Sequence, residues 1–212
     1  MKGVFDAISE GDFKAIKQIV MADAGVLNNS IDEFGESPLM RAISEMDRQF
    51  EIIEYLVSSG ADVNFVTKYG YTPLHYNIDL NGPSGSGEMP YRVARLLKDH
   101  GADTEKRNHY GWTPLMRAAL EGTSDEFKAL IDIGAKYDVV YPAHSMPVFT
   151  RGESLARISM PRPEKIRALL DAGFRPTPSL VREVKLAVLN VENPDAGYAK
   201  ALQESLRIIQ GA

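Results

Sequence analysis

The sequence predicts an all-α solenoid of about five units closed by a C-terminal helical cap. Two observations carry that prediction. First, a six-residue motif occurs three times, as Phe34-Gly35-Glu36-Ser37-Pro38-Leu39, Tyr69-Gly70-Tyr71-Thr72-Pro73-Leu74 and Tyr110-Gly111-Trp112-Thr113-Pro114-Leu115. Each copy reads as a tight turn at the glycine, then Ser or Thr positioned to cap a helix, then Pro at the first helical position. Second, each Pro is followed by a Gly-Ala pair, at Gly60-Ala61, Gly101-Ala102 and Gly134-Ala135, where glycine stops a second helix in the left-handed conformation. One unit is therefore a hairpin tip, a helix, a loop, a second helix and a glycine stop. Such units contact only their neighbours, so stability accumulates along the chain.

The elements follow in order. In residues 1–30, Val4, Phe5 and Ile8, then Phe13, Ile16, Ile19 and Val20, have helical spacing broken at Gly11-Asp12, which predicts a helix pair serving as an N-terminal cap. Residues 31–65 form the second unit, whose second helix over 51–58 gathers Ile52, Ile53, Leu56 and Val57 on one face. The third unit, 66–105, carries the insertion Asn81-Gly82-Pro83-Ser84-Gly85-Ser86-Gly87, read as a flexible connection between its helices. Residues 106–139 give the cleanest unit, with Leu115, Ala118, Ala119, Phe127, Leu130 and Ile131 as its core. In 140–176 the motif decays to Gly152-Glu153-Ser154-Leu155-Ala156, a degenerate fifth unit ending at Gly173. Residues 177–212 supply two helices separated at Asn193-Pro194, with Leu180, Val184, Val188, Tyr198, Leu202 and Ile209 directed inward to close the stack.

These motifs resemble the ankyrin repeat, whose signature is T-P-L-H-x-A with a period of about 33 residues. Thr72-Pro73-Leu74-His75 keeps the histidine but has Asn77 where Ala belongs, and Thr113-Pro114-Leu115-Met116-Arg117-Ala118 keeps Ala and lacks His. Gly35 to Gly70 is 35 residues and Gly70 to Gly111 is 41, which locates the insertion in the third unit. The resemblance covers most of residues 1–176. It implies a stand-alone bacterial-type protein that binds another protein through its hairpin tips and concave face, as an inhibitor or immunity-type protein, an adaptor or an effector. It also implies that His75 hydrogen-bonds backbone between units.

Composition bears on the opposing classes. Net charge is −5, divided into −6 over residues 1–60 and +3 over residues 141–212. An acidic N-terminal half disfavours nucleic acid, whose binding depends on neutralising phosphates. No apolar run approaches about 18 residues and no charged-then-apolar leader opens the chain, so neither membrane nor export is expected and the location is taken as cytoplasmic. There is no Cys, hence no thiolate chemistry. His75, His100, His109 and His144 fall in different units without H-x-x-x-H spacing, so no metal is expected. The 82–87 loop lacks both a following Lys-Ser or Lys-Thr and a G-x-G-x-x-G register, and Ser84 and Ser86 lack a G-x-S-x-G elbow. The chain is therefore expected to be non-enzymatic, without cofactor, and monomeric when free.

The partner-binding candidates are the residues flanking the turn glycines in the ankyrin-like register. They are Phe34 and Glu36, Tyr69 and Tyr71, then Tyr110 and Trp112, expected to project from the tips as one ladder. Lys68 and His109 flank it, as do Leu80 and Glu121 from the first helices. Exposed Tyr and Trp bury much area at low entropic cost.

Overall fold

Helix starts and stops in the structure recur from unit to unit, with Thr72 pairing to His75 where Ser37 and Thr113 cap backbone. A computed structural model describes residues 3–29, 31–45, 50–78, 88–145, 152–191 and 196–211, and these contain thirteen helices and no strand. They are α1 (Val4–Ser9), α2 (Phe13–Ala22), α3 (Val26–Asn29), α4 (Pro38–Ser44), α5 (Phe50–Ser58), α6 (Pro73–Tyr76), α7 (Met89–Asp99), α8 (Pro114–Leu120), α9 (Ser124–Asp132), α10 (Leu155–Ser159), α11 (Pro163–Asp171), α12 (Pro178–Leu189) and α13 (Gly197–Gln210). Pro38, Pro73 and Pro114 each open a helix, and the Ser37 and Thr113 hydroxyls accept the Met40 and Met116 N–H at 3.3 Å. At the other end Gly60, Gly101 and Gly134 have positive φ, and the N–H of Ala61, Ala102 and Ala135 reaches back five residues to Leu56, Leu97 and Leu130 at 3.0 Å. That is the Schellman closure, which satisfies carbonyls the helix itself leaves open. Gly173 and the Phe174 N–H repeat it on Leu169, so the fifth unit keeps its stop where the opening motif has decayed.

The helices stack in two rows. α1, α4, α6, α8 and α10 follow one another in an inner row beside the hairpin fingers, and α5, α7, α9, α11 and α13 form the outer row. Apolar side chains of both rows, among them Leu39, Ile53, Leu56, Leu74, Leu97, Leu115, Phe127, Leu155 and Leu169, are fully buried between them. Polar stitches join successive units on the side of the glycine stops. Asn28 donates to the Gly60 carbonyl and accepts from the Asp62 N–H, and Asn64 does the same with Gly101 and Asp103 one unit later.

Two expectations are corrected here. α6 is a single turn, because Asn77 turns its amide to the Pro90 carbonyl at 2.9 Å, at the start of α7, rather than continuing the inner helix. Leu80 and the 82–87 insertion lie outside the described residues. In the C-terminal cap, α13 packs on α11 and α12 on α13, with Leu180, Val184, Leu202 and Ile209 buried. Tyr198, however, is 56% exposed: α13 begins at Gly197, and the stripe facing α11 starts one residue later, at Ala199. No helix among the described residues is long and apolar enough to cross a membrane.

Candidate interaction surface

Each finger is a turn tied by a short polar side chain at its base. Asp32 accepts the N–H groups of Phe34 and Glu36 at 2.9 Å, Thr67 accepts that of Tyr71, and Asn108 accepts those of Tyr110 and Trp112. The glycines between them adopt φ of +80° at Gly35, +78° at Gly70 and +77° at Gly111. The residue before each glycine projects: Phe34 and Tyr69 are about half exposed or more, while Tyr110 is half-buried. The residue after it turns inward, so Glu36 and Tyr71 are half-buried and Trp112 is buried.

Trp112 is therefore a correction to the expected ladder. Its indole N–H donates to Ser145 Oγ at 2.6 Å and its ring meets Tyr141 edge-on, at 6.4 Å and 84°. Tyr141 is itself buried, and its hydroxyl donates to the Met116 carbonyl. The degenerate fifth unit thus covers Trp112 with a segment that carries no recognisable finger motif, which is why the sequence did not show it.

The rings that do gather run across two fingers. His109 meets Tyr110 with centroids 3.7 Å apart and the rings tilted by 41°, lies 5.4 Å from Tyr69 and 5.8 Å from Tyr71, and Tyr110 lies 5.1 Å from Trp112. The His109 N–H and Nδ1–H both donate to the Tyr69 carbonyl, fixing this junction. Lys68 places its ammonium 4.9 Å from the Tyr69 ring. Phe34 makes no contact with another ring among the described residues, and the Arg41 guanidinium lies 5.9 Å from its ring. Glu36 is tied to the rest through Tyr76, whose hydroxyl donates to it at 2.8 Å.

Behind the rings stands a row of ion pairs that the sequence analysis missed. Arg117 lies 5.3 Å from the Tyr71 ring, bonds Glu121 at 2.9 Å and donates to the His75 carbonyl. Arg41, two units earlier, meets Asp32, Glu36 and Glu45. A signal for both existed: Met-Arg-Ala follows the capped Pro-Leu in the second and fourth units, with Glu four residues after each Arg, a spacing that puts both on one helix face. Burial raises the Glu36 pKa, against the Tyr76 hydrogen bond, while Asp32 is held low despite burial by the Glu36 and Phe34 N–H groups and Arg41. His75 is fully buried and its Nε2–H donates to the Trp112 carbonyl at 2.9 Å, while Nδ1 accepts from Thr72. Burial lowers its pKa to about 4, so it is a neutral structural link between units. Such a surface, rings outside and paired charges behind, is equipped for non-covalent recognition.

The comparisons agree with this architecture. Residues 4–85 match the family described as ankyrin repeats, in three copies. An ankyrin repeat protein of Rickettsia bellii is 29% identical over 136 residues, covering 64% of this chain and 37% of the relative. One from Acanthamoeba polyphaga mimivirus is 32% identical over 112 residues, 52% of this chain and 62% of the relative. A Saccharomyces cerevisiae protein named "Probable 26S proteasome regulatory subunit p28" is 29% identical over 135 residues, 63% of this chain and 55% of the relative. The chain thus spans less than two thirds of each of these relatives. Ankyrin repeats are protein-protein interaction modules.

Proposed function

We infer that this chain is a non-catalytic module that binds another protein through its hairpin fingers and inner helices, monomeric when free, cytoplasmic, and directed at neither nucleic acid nor membrane. The observation that carries this reading is the Tyr69–His109–Tyr110 ring group, presented at the tips of two fingers locked together by the His109 bonds to Tyr69. Rigid aromatic area held in place before binding is what interface hot spots are made of, because little ordering entropy remains to be lost. The name of the yeast relative, a regulatory subunit of a larger assembly, is in keeping with it. Inhibitor, immunity, adaptor and effector roles would all use this surface, and the identity of the partner separates them.

The test is to capture the partner from the source proteome, reconstitute the complex from purified components and map it by hydrogen exchange. Protection is expected at residues 66–71 and 108–112. Protection confined to the outer helices α7 and α9 would refute the assignment of the surface.

A further inference from the structure

The three finger junctions are not alike. Between the third and fourth fingers, the His109 N–H bonds the Tyr69 carbonyl at 2.8 Å, and a Cβ on Gly70 would stand 2.9 Å from the Asn108 Cα. Between the fourth and fifth, a Cβ on Gly111 would strike Pro142 at 2.4 Å, and Trp112 bonds Ser145. Both junctions are closed. Between the second and third, the register-equivalent bond from the Lys68 N–H to the Phe34 carbonyl is not made, and a Cβ on Gly35 would meet nothing within 4 Å. The link there is at the base, from the Tyr76 hydroxyl to Glu36.

The two fingers flanking this open junction carry the apolar groups that the closed ones cover or replace. Ile31 is 60% exposed, Phe34 57%, Val66 41% and Tyr69 50%. Ile31 and Val66 occupy equivalent positions, as do Phe34 and Tyr69, so the set is a pair of repeated rungs rather than scattered surface residues. In the fourth finger the same two positions hold Arg107 and the half-buried Tyr110. Large apolar side chains repeated in exposed positions on neighbouring fingers offer area for an interaction site. Their electrostatic setting is acidic: residues 31–45 carry Asp32, Glu33, Glu36 and Glu45 against Arg41, and Lys68 is the one cation of residues 66–71.

We propose that the open junction between residues 31–36 and 66–71 is a docking site for a basic polypeptide segment with apolar anchor side chains. The anchors cover Ile31, Phe34, Val66 and Tyr69, the basic groups answer the excess of carboxylates, and the segment's extended backbone pairs with the Phe34 carbonyl and Lys68 N–H that the fingers leave to one another unbonded. This rests on the protein-binding reading above and assigns the chemistry of one bound segment. It differs from that reading in placing the contact at Phe34 rather than at the His109–Tyr110 ring pair.

The test uses the full chain and four synthetic twelve-residue peptides: alternating Lys and Phe, alternating Glu and Phe, alternating Ser and Phe, and alternating Lys and Ser. Fluorescence polarisation is expected to show the Lys–Phe peptide binding at least tenfold more tightly than each of the other three, with affinity falling as NaCl rises. Phe34→Ser and Ile31→Ser, both at exposed positions, are expected to weaken it tenfold or more at an unchanged thermal midpoint, and the outer-helix variant Lys98→Ala is expected to leave it unchanged. Equal or tighter binding of the Glu–Phe or Ser–Phe peptide would overturn the charge assignment, and equal binding of the Lys–Ser peptide would overturn the anchors. Loss on Tyr110→Ala with Phe34→Ser neutral would overturn the junction as the site while leaving the general protein-binding reading intact. Failure of all four peptides to bind overturns this proposal alone, since the hydrogen-exchange map of the captured complex tests the broader reading separately.

Discussion

Lys165 is fully buried at the start of α11, and its ammonium donates to the Ala118 and Gly122 carbonyls at 2.6 Å and to that of Ala119 at 3.2 Å. With Arg162, which donates to the Leu120 carbonyl, it caps the open C-terminal end of α8 from the next unit. In Lys165→Met the apolar stem is kept and the donors are lost. Ala118 retains a backbone donor, the Gly122 N–H at 3.1 Å, whereas the Ala119 and Gly122 carbonyls lose their ammonium. Two under-satisfied carbonyls, that of Ala119 buried and that of Gly122 part-buried, cost about 1–3 kcal/mol each, and relief of the buried charge returns part of this, which leaves a net loss of about 2 kcal/mol at pH 6, where the amine is charged. Burial and the Arg162 charge lower the Lys165 pKa to about 7 from 10.5, with Glu126 acting in the opposite sense. The unfolded chain therefore binds more protons between these values, and the wild type gains stability as pH rises from about 7 toward 10.5, by at most about 1.4 kcal/mol per pH unit. The gap to the Met variant, which lacks this titration, widens over the same window. Urea unfolding combined with segment-resolved hydrogen exchange measures both, because loss of the clasp should appear first in residues 152–173. A Met variant as stable as wild type at pH 6, or a gap that does not change between pH 7 and 10, would refute the role assigned to Lys165.

Further expectations can be checked with ordinary stability measurements. His75 has a folded pKa of about 4 against 6.5, so its contribution is complete above pH 6.5 and disappears as pH falls to 4; up to about 3 kcal/mol should be lost over that interval, and the loss should be absent in His75→Gln. Gly35→Ala should cost only the left-handed backbone penalty of about 1–2 kcal/mol, whereas Gly70→Ala and Gly111→Ala should cost more, since their added methyl meets the next finger; equal denaturation midpoints for the three would contradict the difference between junctions. Trp112→Ala should cost about 3–5 kcal/mol as a buried truncation, and a stably folded variant would return Trp112 to the surface.

Much of the scaffold was legible because its signals are local. The Ser37 and Thr113 caps, the prolines behind them and the Leu-to-glycine closures at Gly60, Gly101 and Gly134 are each decided within a few residues, so sequence spacing reports them directly. What escaped depends on contacts between units. Trp112 and Tyr69 stand in similar motifs, but one is covered by Ser145 and Tyr141 from a unit without the motif, and the other, beside His109 and Lys68, stays half exposed. Lys165 sits at an inward position of α11, next to Ile166 and one turn before Leu169, where a charge is expected to be wet; the carbonyls that accept it lie some 45 residues away in sequence. Tyr69, Tyr71, His109 and Tyr110 lie together because register stacking brings equivalent positions of successive fingers side by side, while Phe34 stands apart where the register bond is not made.

The central claim is that rings held at the tips of the third and fourth fingers bind a partner protein. Titration calorimetry of the purified partner against wild type, Tyr69→Ala, Tyr110→Ala and the outer-helix control Lys98→Ala tests it most directly. The account predicts a loss of about 1.4 kcal/mol or more, at least tenfold in Kd, for each tyrosine variant at nearly unchanged folding stability, and no change for the control. Wild-type affinity in both tyrosine variants would contradict it.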